Sequence, residues 1–187
     1  MSKPREKTGN SNRWLTPNKV LDPIRAYFGG FIPLDPCNEP GNPTRARHSF
    51  TEEQDGLIRD WSGYDGWFCN PPYSLTPAMQ ARGESRPPFQ LWCAKIHAAS
   101  LASCAPGIAL LPCGARFSTR YFQDHILNPS SAVCFVRGRI QFIDAHSGTP
   151  RKGQNNYDSA IYGFNVDTQH FEDCLRELGV CYRREQL

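Results

Sequence analysis

The sequence predicts a single α/β domain with a mostly parallel sheet, and two observations lead to this prediction. Short apolar runs typical of buried strands alternate with segments of helical periodicity, an order found in sheets that helices cover on both faces. In addition, 187 residues are enough for one hydrophobic core, whereas two domains of this total length would be cramped.

The first half of the chain predicts short elements separated by turn-rich loops. Residues 20–28 carry apolar side chains at near-helical spacing before Gly29 and Gly30, which predicts a short helix. Thr51 and Gln54 stand at the spacing of a capping box, which predicts a helix start. Apolar runs predict strands at residues 31–35 and 66–69, and the segment 45–50 is compatible with a brief strand between them.

The second half predicts a longer helix and most of the sheet. Residues 74–88 are rich in Gly, Pro and Ser and predict a flexible loop, and residues 91–103 predict an amphipathic helix. Residues 119–127 predict another helix. The segment 132–143 is compatible with a strand and a loop or with a hairpin. Apolar runs predict further strands at residues 107–113 and 158–166.

The amino-terminal residues 1–12 are polar and charged, without periodicity, and we expect them to form a disordered basic arm. The net charge is only +3, but basic side chains cluster in this arm and again in the second half. Local basic clusters on a nearly neutral chain suit an anionic partner that is contacted on one face. The alternative is that these side chains are solvated surface charges.

Composition argues against a secreted, membrane-spanning or metal-binding protein. The chain has eight cysteines, but no two are spaced as C-x-x-C, and most lie inside apolar runs. We therefore expect reduced thiols that pack as small hydrophobes, and no metal site. No apolar run of about 18 residues is present, and no apolar segment follows the basic arm, so we expect a cytoplasmic protein.

Two predicted strands end in polar residues that buried strands rarely carry. Asp35 ends the strand 31–35 and precedes Pro36 and Cys37, and "NPPY" at residues 70–73 follows the strand 66–69. In an open α/β sheet, ligands bind at the carboxyl ends of the strands. Two successive prolines remove two backbone N–H donors and leave rigid carbonyl acceptors beside an aromatic ring. A rigid surface turn is the alternative interpretation.

These motifs resemble those of a known enzyme family. The "NPPY" segment resembles the motif IV signature of S-adenosylmethionine-dependent amino-group methyltransferases, and "LDPC" resembles the end of their motif I. The "RWLTP" segment resembles a Thr-Pro loop that helps to hold the cofactor. The order of these motifs, followed by "LLP", "GRIQF" and "YGF", is similar to the phage-type DNA N6-adenine methyltransferases across residues 13–165.

The resemblance implies a methyltransferase domain at residues 13–187 with an abbreviated Rossmann-like fold. It is abbreviated because Asp35 and Asn70 are too close in sequence for the usual two or three β/α units between them. The loop after Asp35 contains Gly41 as its only glycine, which departs from the glycine-rich motif I of many relatives. The implied cofactor is S-adenosylmethionine, with binding residues Trp14, Thr16, Pro17, Asp35, Pro36, Cys37, Asp55 and Asn70.

The same resemblance implies a catalytic group made of Asn70, Pro71, Pro72 and Tyr73. The exocyclic nitrogen of adenine is a poor nucleophile because its lone pair is delocalised into the ring. The Oδ1 atom of Asn70 and the carbonyl of Pro71 can each accept one N–H of this amine. Tyr73 would stack on an adenine flipped out of duplex DNA. Phe142 is a candidate for a second aromatic residue that faces the flipped base, although core packing is its alternative role.

The sequence leaves the DNA contacts and some substrate alternatives open. The motif also occurs in enzymes that methylate glutamine side chains of proteins or the N2 atom of guanine in ribosomal RNA. A non-catalytic nucleic-acid-binding relative is a further alternative. The oligomeric state and the recognised DNA sequence stay open. Candidates for nucleic-acid contacts are Arg86, Arg116, Arg120, Arg139, Phe142 and Arg151.

Overall fold

A five-stranded sheet lies at the centre of the computed structural model, which describes residues 14–150 and 157–184. The predicted basic arm therefore lies outside the described residues. The strands are β1 (Trp14–Leu15), β2 (Ile32–Asp35), β3 (Ala46–Ser49), β4 (Trp67–Cys69), β5 (Gly107–Pro112), β6 (Ala132–Val136), β7 (Ile143–Asp144), β8 (Ser159–Phe164) and β9 (Gly179–Arg183). The α-helices are α1 (Asn18–Tyr27), α2 (Pro77–Ala81), α3 (Pro88–Ala102), α4 (Arg120–Phe122) and α5 (Thr168–Leu175).

The central sheet has the strand order β4-β5-β8-β6-β9 and is mixed. Strands β4 and β5 pair in parallel, whereas β8 pairs antiparallel with both β5 and β6, and β9 pairs antiparallel with β6. A second parallel pair, β2 and β3, lies beside β4. The α/β class is thus confirmed. The sheet has more antiparallel pairing than the sequence predicted, because β8 inserts between two strands that share the opposite direction.

Helices and apolar side chains cover both faces of the sheet. Helix α1 places Val20, Leu21 and Ile24 on one buried face, as the sequence spacing predicts, and packs against α5. Helix α3 covers the opposite face with Trp92 and Ile96. The two resulting layers of the core are built around the alternating side chains of the same central strands.

Two local predictions for the middle of the chain were wrong. Residues 74–88 contain the helix α2, which begins after Thr76, whose Oγ1 accepts a hydrogen bond from the backbone N–H of Met79 at 3.2 Å. Residues 51–61 form turns and no helix, although Gln54 accepts the capping-box bond from the N–H of Thr51 at 2.9 Å. Asp55 prevents a helix there because its φ is 52°, in the left-handed region.

The carboxyl-terminal half also differs from the prediction in detail. The predicted helix 119–127 is α4 followed by a π-helical turn at Gln123–Leu127. In the segment 132–143, only Ile143 belongs to a second strand, and this strand, β7, pairs with β1 instead of forming a hairpin with β6. The sequence analysis did not predict α5 and β9. No helix within the described ranges is long and apolar enough to cross a membrane.

Candidate active site

A cavity of about 340 Å³ lies where the carboxyl ends of β2 and β4 meet, a volume in the range of small-molecule sites. The two strand ends are held side by side, since the Sγ atoms of Cys37 and Cys69 are 3.5 Å apart. The described residues that line the cavity include most of the residues that the sequence singled out. These are Trp14, Pro36, Cys37, Asp55, Asn70, Pro71, Pro72, Tyr73 and Phe142.

Asn70 follows β4 directly and is held by a residue from the amino-terminal segment. Its Nδ2 atom donates a hydrogen bond to Oγ1 of Thr16 at 3.0 Å. This bond fixes the orientation of the amide, and no described residue donates to Oδ1 of Asn70. Pro71 and Pro72 come next and have no backbone N–H, so the end of β4 presents acceptors to the cavity.

Tyr73 combines an anchored hydroxyl with an accessible ring. The hydroxyl donates to the carbonyl of Leu110 in β5 at 3.4 Å, and the ring lies 5.7 Å from the ring of Phe89. Burial raises the pKa of the Tyr73 hydroxyl, so this group stays neutral. The residue as a whole is nevertheless 39% exposed, because one side of the ring lines the cavity. This arrangement leaves an aromatic surface available for stacking.

Asp35 organises the loop after β2 and lies behind the main cavity. Its carboxyl is only 3% exposed and accepts hydrogen bonds from the N–H of Cys37 at 3.0 Å and from Oγ1 of Thr44 at 2.8 Å. Burial raises its pKa to about 6. Asp35 lines a smaller adjoining cavity together with Thr16. The structure therefore places Asp35 next to the predicted site, with most of its contacts to the protein itself.

The loop around Asp55 also lines the cavity. Asp55 is buried, lines the cavity and forms an ion pair with Arg82, which follows α2. Its neighbour Gly56 packs so closely on the loop after β2 that a Cβ atom there would lie 1.8 Å from the carbonyl oxygen of Pro36. Only glycine permits this approach, which brings the loop after β3 against the loop after β2.

Strands β1 and β7 bring two distant aromatic residues to the cavity. Trp14 pairs with Asp144 in an antiparallel arrangement, which places Trp14 near Phe142, and both aromatic side chains line the cavity. Pro17 does not line it. Pro17 precedes α1 instead, and its carbonyl accepts the first hydrogen bonds of that helix from Val20 and Leu21.

Several lining residues were not predicted from the sequence. Glu52 lies three residues after β3, so the rule that ligands bind at strand ends could have identified it. Tyr157 and Ser159 reach the cavity from the segment that enters β8, and no local pattern marks them. The other lining residues that the sequence analysis missed are Asn38, Glu39, Thr51, Gly56, Ser74, Thr76, Met79, Trp92 and Pro112.

The charged side chains among the described lining residues are all acidic. Three carboxylates, those of Glu39, Glu52 and Asp55, line the cavity, and the described lining residues include no Lys, Arg or His. Such a lining suits a ligand with cationic groups and hydroxyls, and it does not suit a ligand with phosphates. Among the described residues there is also no group of three or more His, Cys, Asp or Glu side chains arranged to hold a metal ion.

The described arginines among the candidates for nucleic-acid contacts do not line the cavity. Arg86 pairs with Glu84 at 2.9 Å, and Arg139 pairs with Asp158 at 3.4 Å. Arg120 is exposed at the start of α4. Arg116 lies over the ring of Phe89, with its Cζ atom 4.2 Å from the ring centroid. Arg151 lies outside the described residues.

Comparison with known proteins connects this geometry to a family. The family model of the DNA N-6-adenine-methyltransferases (Dam) matches residues 3–171. The chain belongs to the DNA N-6-adenine-methyltransferase family. This membership confirms the resemblance seen in the sequence and the predicted enzyme class, an S-adenosylmethionine-dependent DNA adenine methyltransferase.

Two individual proteins agree with this assignment. The chain is 29% identical over 156 residues to a DNA N-6-adenine-methyltransferase of Haemophilus phage HP1, and the match covers 83% of this chain and 80% of the relative. A solved structure of a putative class I S-adenosylmethionine-dependent methyltransferase from Listeria monocytogenes matches with a TM-score of 0.50 and 12% identity. That match covers 85% of this chain and 62% of the solved chain, and it shows the fold alone.

The buried carboxyl of Asp35 gives this methyltransferase a pH-dependent stability. Its pKa rises from 3.8 to about 6 on folding, so the folded state favours the protonated form. The contribution of Asp35 to the free energy of unfolding should therefore be largest below pH 3.8, and it should decrease as the pH rises to about 6. Urea denaturation of the wild type and of Asp35→Asn across this pH range measures the contribution of Asp35. The wild type should lose stability relative to the variant, and a constant difference would contradict the buried state of the carboxyl.

Proposed function

We propose that this chain transfers a methyl group from S-adenosylmethionine to the N6 atom of an adenine flipped out of duplex DNA, with the reaction centred on Asn70. The observation that carries the proposal is the acceptor group at the end of β4. There the hydrogen bond from Asn70 to Thr16 leaves Oδ1 of Asn70 for the substrate, next to Pro71 and the accessible ring of Tyr73.

The residues of the cavity fit S-adenosylmethionine. When bound, this cofactor supplies an electrophilic methyl group on a sulfonium. Its positive sulfonium and ammonium groups suit a lining that contains carboxylates and no basic side chain. The carboxylate of Glu52, just after β3, can accept hydrogen bonds from the ribose hydroxyls. The aromatic ring of Trp14 and the loop of Pro36 and Cys37 provide apolar and backbone contacts at the other end of the cavity.

The role of Asn70 and Pro71 follows from their atoms. The Oδ1 atom of Asn70 and the carbonyl of Pro71 each accept one N–H of the adenine amine, which directs its lone pair away from the ring. As the amine becomes positively charged during methyl transfer, the same oxygens stabilise that charge. The bond to Thr16 and the rigid prolines hold the acceptors in place before the substrate arrives, so little reorganisation accompanies the reaction.

Tyr73 supports the flipped base. Extraction of a base from a duplex costs a few kcal/mol, and stacking on an aromatic ring returns about 1–3 kcal/mol. The bond between the Tyr73 hydroxyl and the carbonyl of Leu110 fixes the ring at the mouth of the cavity. Phe142 lines the same cavity and can contact the base or the cofactor there. Membership of a DNA adenine family supports DNA over protein or ribosomal RNA as the substrate.

Substitution of Asn70 tests the reaction. We expect wild-type protein to transfer labelled methyl groups to DNA and to yield N6-methyladenine after digestion to nucleosides. Asn70→Ala should lower the rate by about 10²–10³, because one preorganised acceptor is lost at the atom where charge develops. Titration calorimetry should show S-adenosylmethionine affinity within a few fold of the wild type, since most lining residues remain.

Asn70→Asp is the matched variant for this experiment. A carboxylate keeps an acceptor at the same position, so Asn70→Asp should retain more activity than Asn70→Ala. If Asn70→Ala transferred methyl groups at the wild-type rate, the end of β4 would be a structural turn and the proposed reaction would be wrong.

Two neighbouring glutamates test the position of the cofactor. Both glutamates are exposed, but only Glu52 lines the cavity and the adjacent Glu53 does not. We expect Glu52→Ala to weaken S-adenosylmethionine binding by roughly 10-fold or more, the value of a lost hydrogen bond to a charged group, and Glu53→Ala to leave it unchanged. Titration calorimetry measures both. Equal affinities of the two variants would remove Glu52 from the cofactor site.

A further inference from the structure

Arg116 lies close to the mouth of the cavity because of the way that β5 ends. Strand β5 runs parallel to β4, and its last residue, Pro112, lines the cavity. Gly114, with a φ of 112°, then turns the chain into the 3₁₀ turn Ala115–Ser118. Arg116 is therefore only four residues beyond a cavity residue, at the same edge of the sheet as Asn70 and Tyr73.

The side chain of Arg116 belongs to a layered group that includes Tyr73. Its guanidinium lies over the ring of Phe89, 4.2 Å from the centroid, and the ring of Phe89 lies 5.7 Å from that of Tyr73. Phe89 is buried and is stacked on Phe122 in the core, so this support is rigid. Burial raises the pKa of the Tyr73 hydroxyl, and the positive charge of Arg116 opposes the rise, which agrees with their proximity.

Arg116 has no carboxylate partner of the kind that several other arginines have. Arg82, Arg86 and Arg139 each pair with a carboxylate of Asp55, Glu84 or Asp158. Among the described residues, no carboxylate lies within ion-pair distance of Arg116. The guanidinium of Arg116 packs on the face of Phe89 instead. A half-buried cation is thus held on an aromatic ring next to the site, and no carboxylate of residues 14–150 or 157–184 pairs with it.

We propose that Arg116 binds a backbone phosphate next to the target adenosine and so holds the flipped nucleotide against Tyr73. This inference rests on the proposed function. The N–H groups of a guanidinium lie in its plane. A guanidinium stacked on a ring can therefore still donate them to two oxygens of one phosphate. Because the cavity itself is lined by carboxylates, the phosphate remains at the mouth while the uncharged base enters. Arg116 is in this sense a positioning residue.

The test compares Arg116→Gln with Arg176→Gln, a control variant whose side chain is exposed at the carboxyl end of α5. The probes are a DNA duplex with one mapped methylation site and a duplex of equal composition without it. Arg116→Gln should raise the KM for DNA by about 10-fold and weaken binding to the duplex with the site more than binding to the duplex without it, because only the target adenosine is held in the flipped state, with kcat and cofactor affinity nearly unchanged. The slope of log affinity against log salt should decrease by about one. Arg176→Gln should change none of these values.

Arg116→Lys separates phosphate binding from packing on Phe89. It keeps the positive charge, so its salt slope should equal that of the wild type even if its affinity for DNA is lower. A wild-type KM and salt slope for Arg116→Gln would overturn the inference, and so would a change in the sequence that is methylated, which would indicate base reading. Methyl transfer to DNA by the wild type is measured in the same series, so a failure of the proposed function is seen separately.

Discussion

The hydrogen bond between Asn70 and Thr16 is the contact on which the site depends most. It joins two residues that are 54 positions apart and spans from the segment before α1 to the end of β4 at 3.0 Å. Without it, the amide of Asn70 could rotate and present its N–H₂ group, a donor, to the substrate amine that we propose it binds. The bond therefore converts an asparagine after a strand into an oriented acceptor, and it also attaches the amino-terminal segment to the cavity.

The surrounding fold holds this bond in place. Strands β2 and β4 end side by side, and the buried carboxyl of Asp35 shapes the loop after β2 through bonds to Cys37 and Thr44. Close packing of Gly56 on Pro36 holds the loop after β3 against the loop after β2. The loops that follow β2, β3 and β4 thus supply much of the cavity lining, at the strand ends where ligands usually bind in α/β sheets. Its carboxylates favour a cationic cofactor, while the basic side chain of Arg116 stays outside.

The parts of this arrangement that depend on local sequence could be predicted. Apolar runs gave most of the strands, and the abrupt change from apolar to polar residues at Asp35 and Asn70 indicated the site. Features that depend on distant contacts could not be predicted in the same way. The two-residue pairing of β1 with β7 has no local signature, yet it brings Trp14 and Phe142 to one cavity. The helix α2 was missed because its five residues lie among Gly, Pro and Ser, which normally indicate a loop.

The kinetics of Thr16→Val and Thr16→Ser test the central claim most directly. Valine has the shape of threonine without its hydroxyl, so the amide of Asn70 loses its acceptor, whereas serine keeps it. The account predicts that Thr16→Val lowers kcat roughly 10-fold, in line with a buried hydrogen bond left unmade, and that Thr16→Ser stays near the wild type. Calorimetry on the same samples confirms that each binds S-adenosylmethionine. Equal kcat values for the valine, serine and wild-type proteins would contradict the claim that this bond orients Asn70 for methyl transfer.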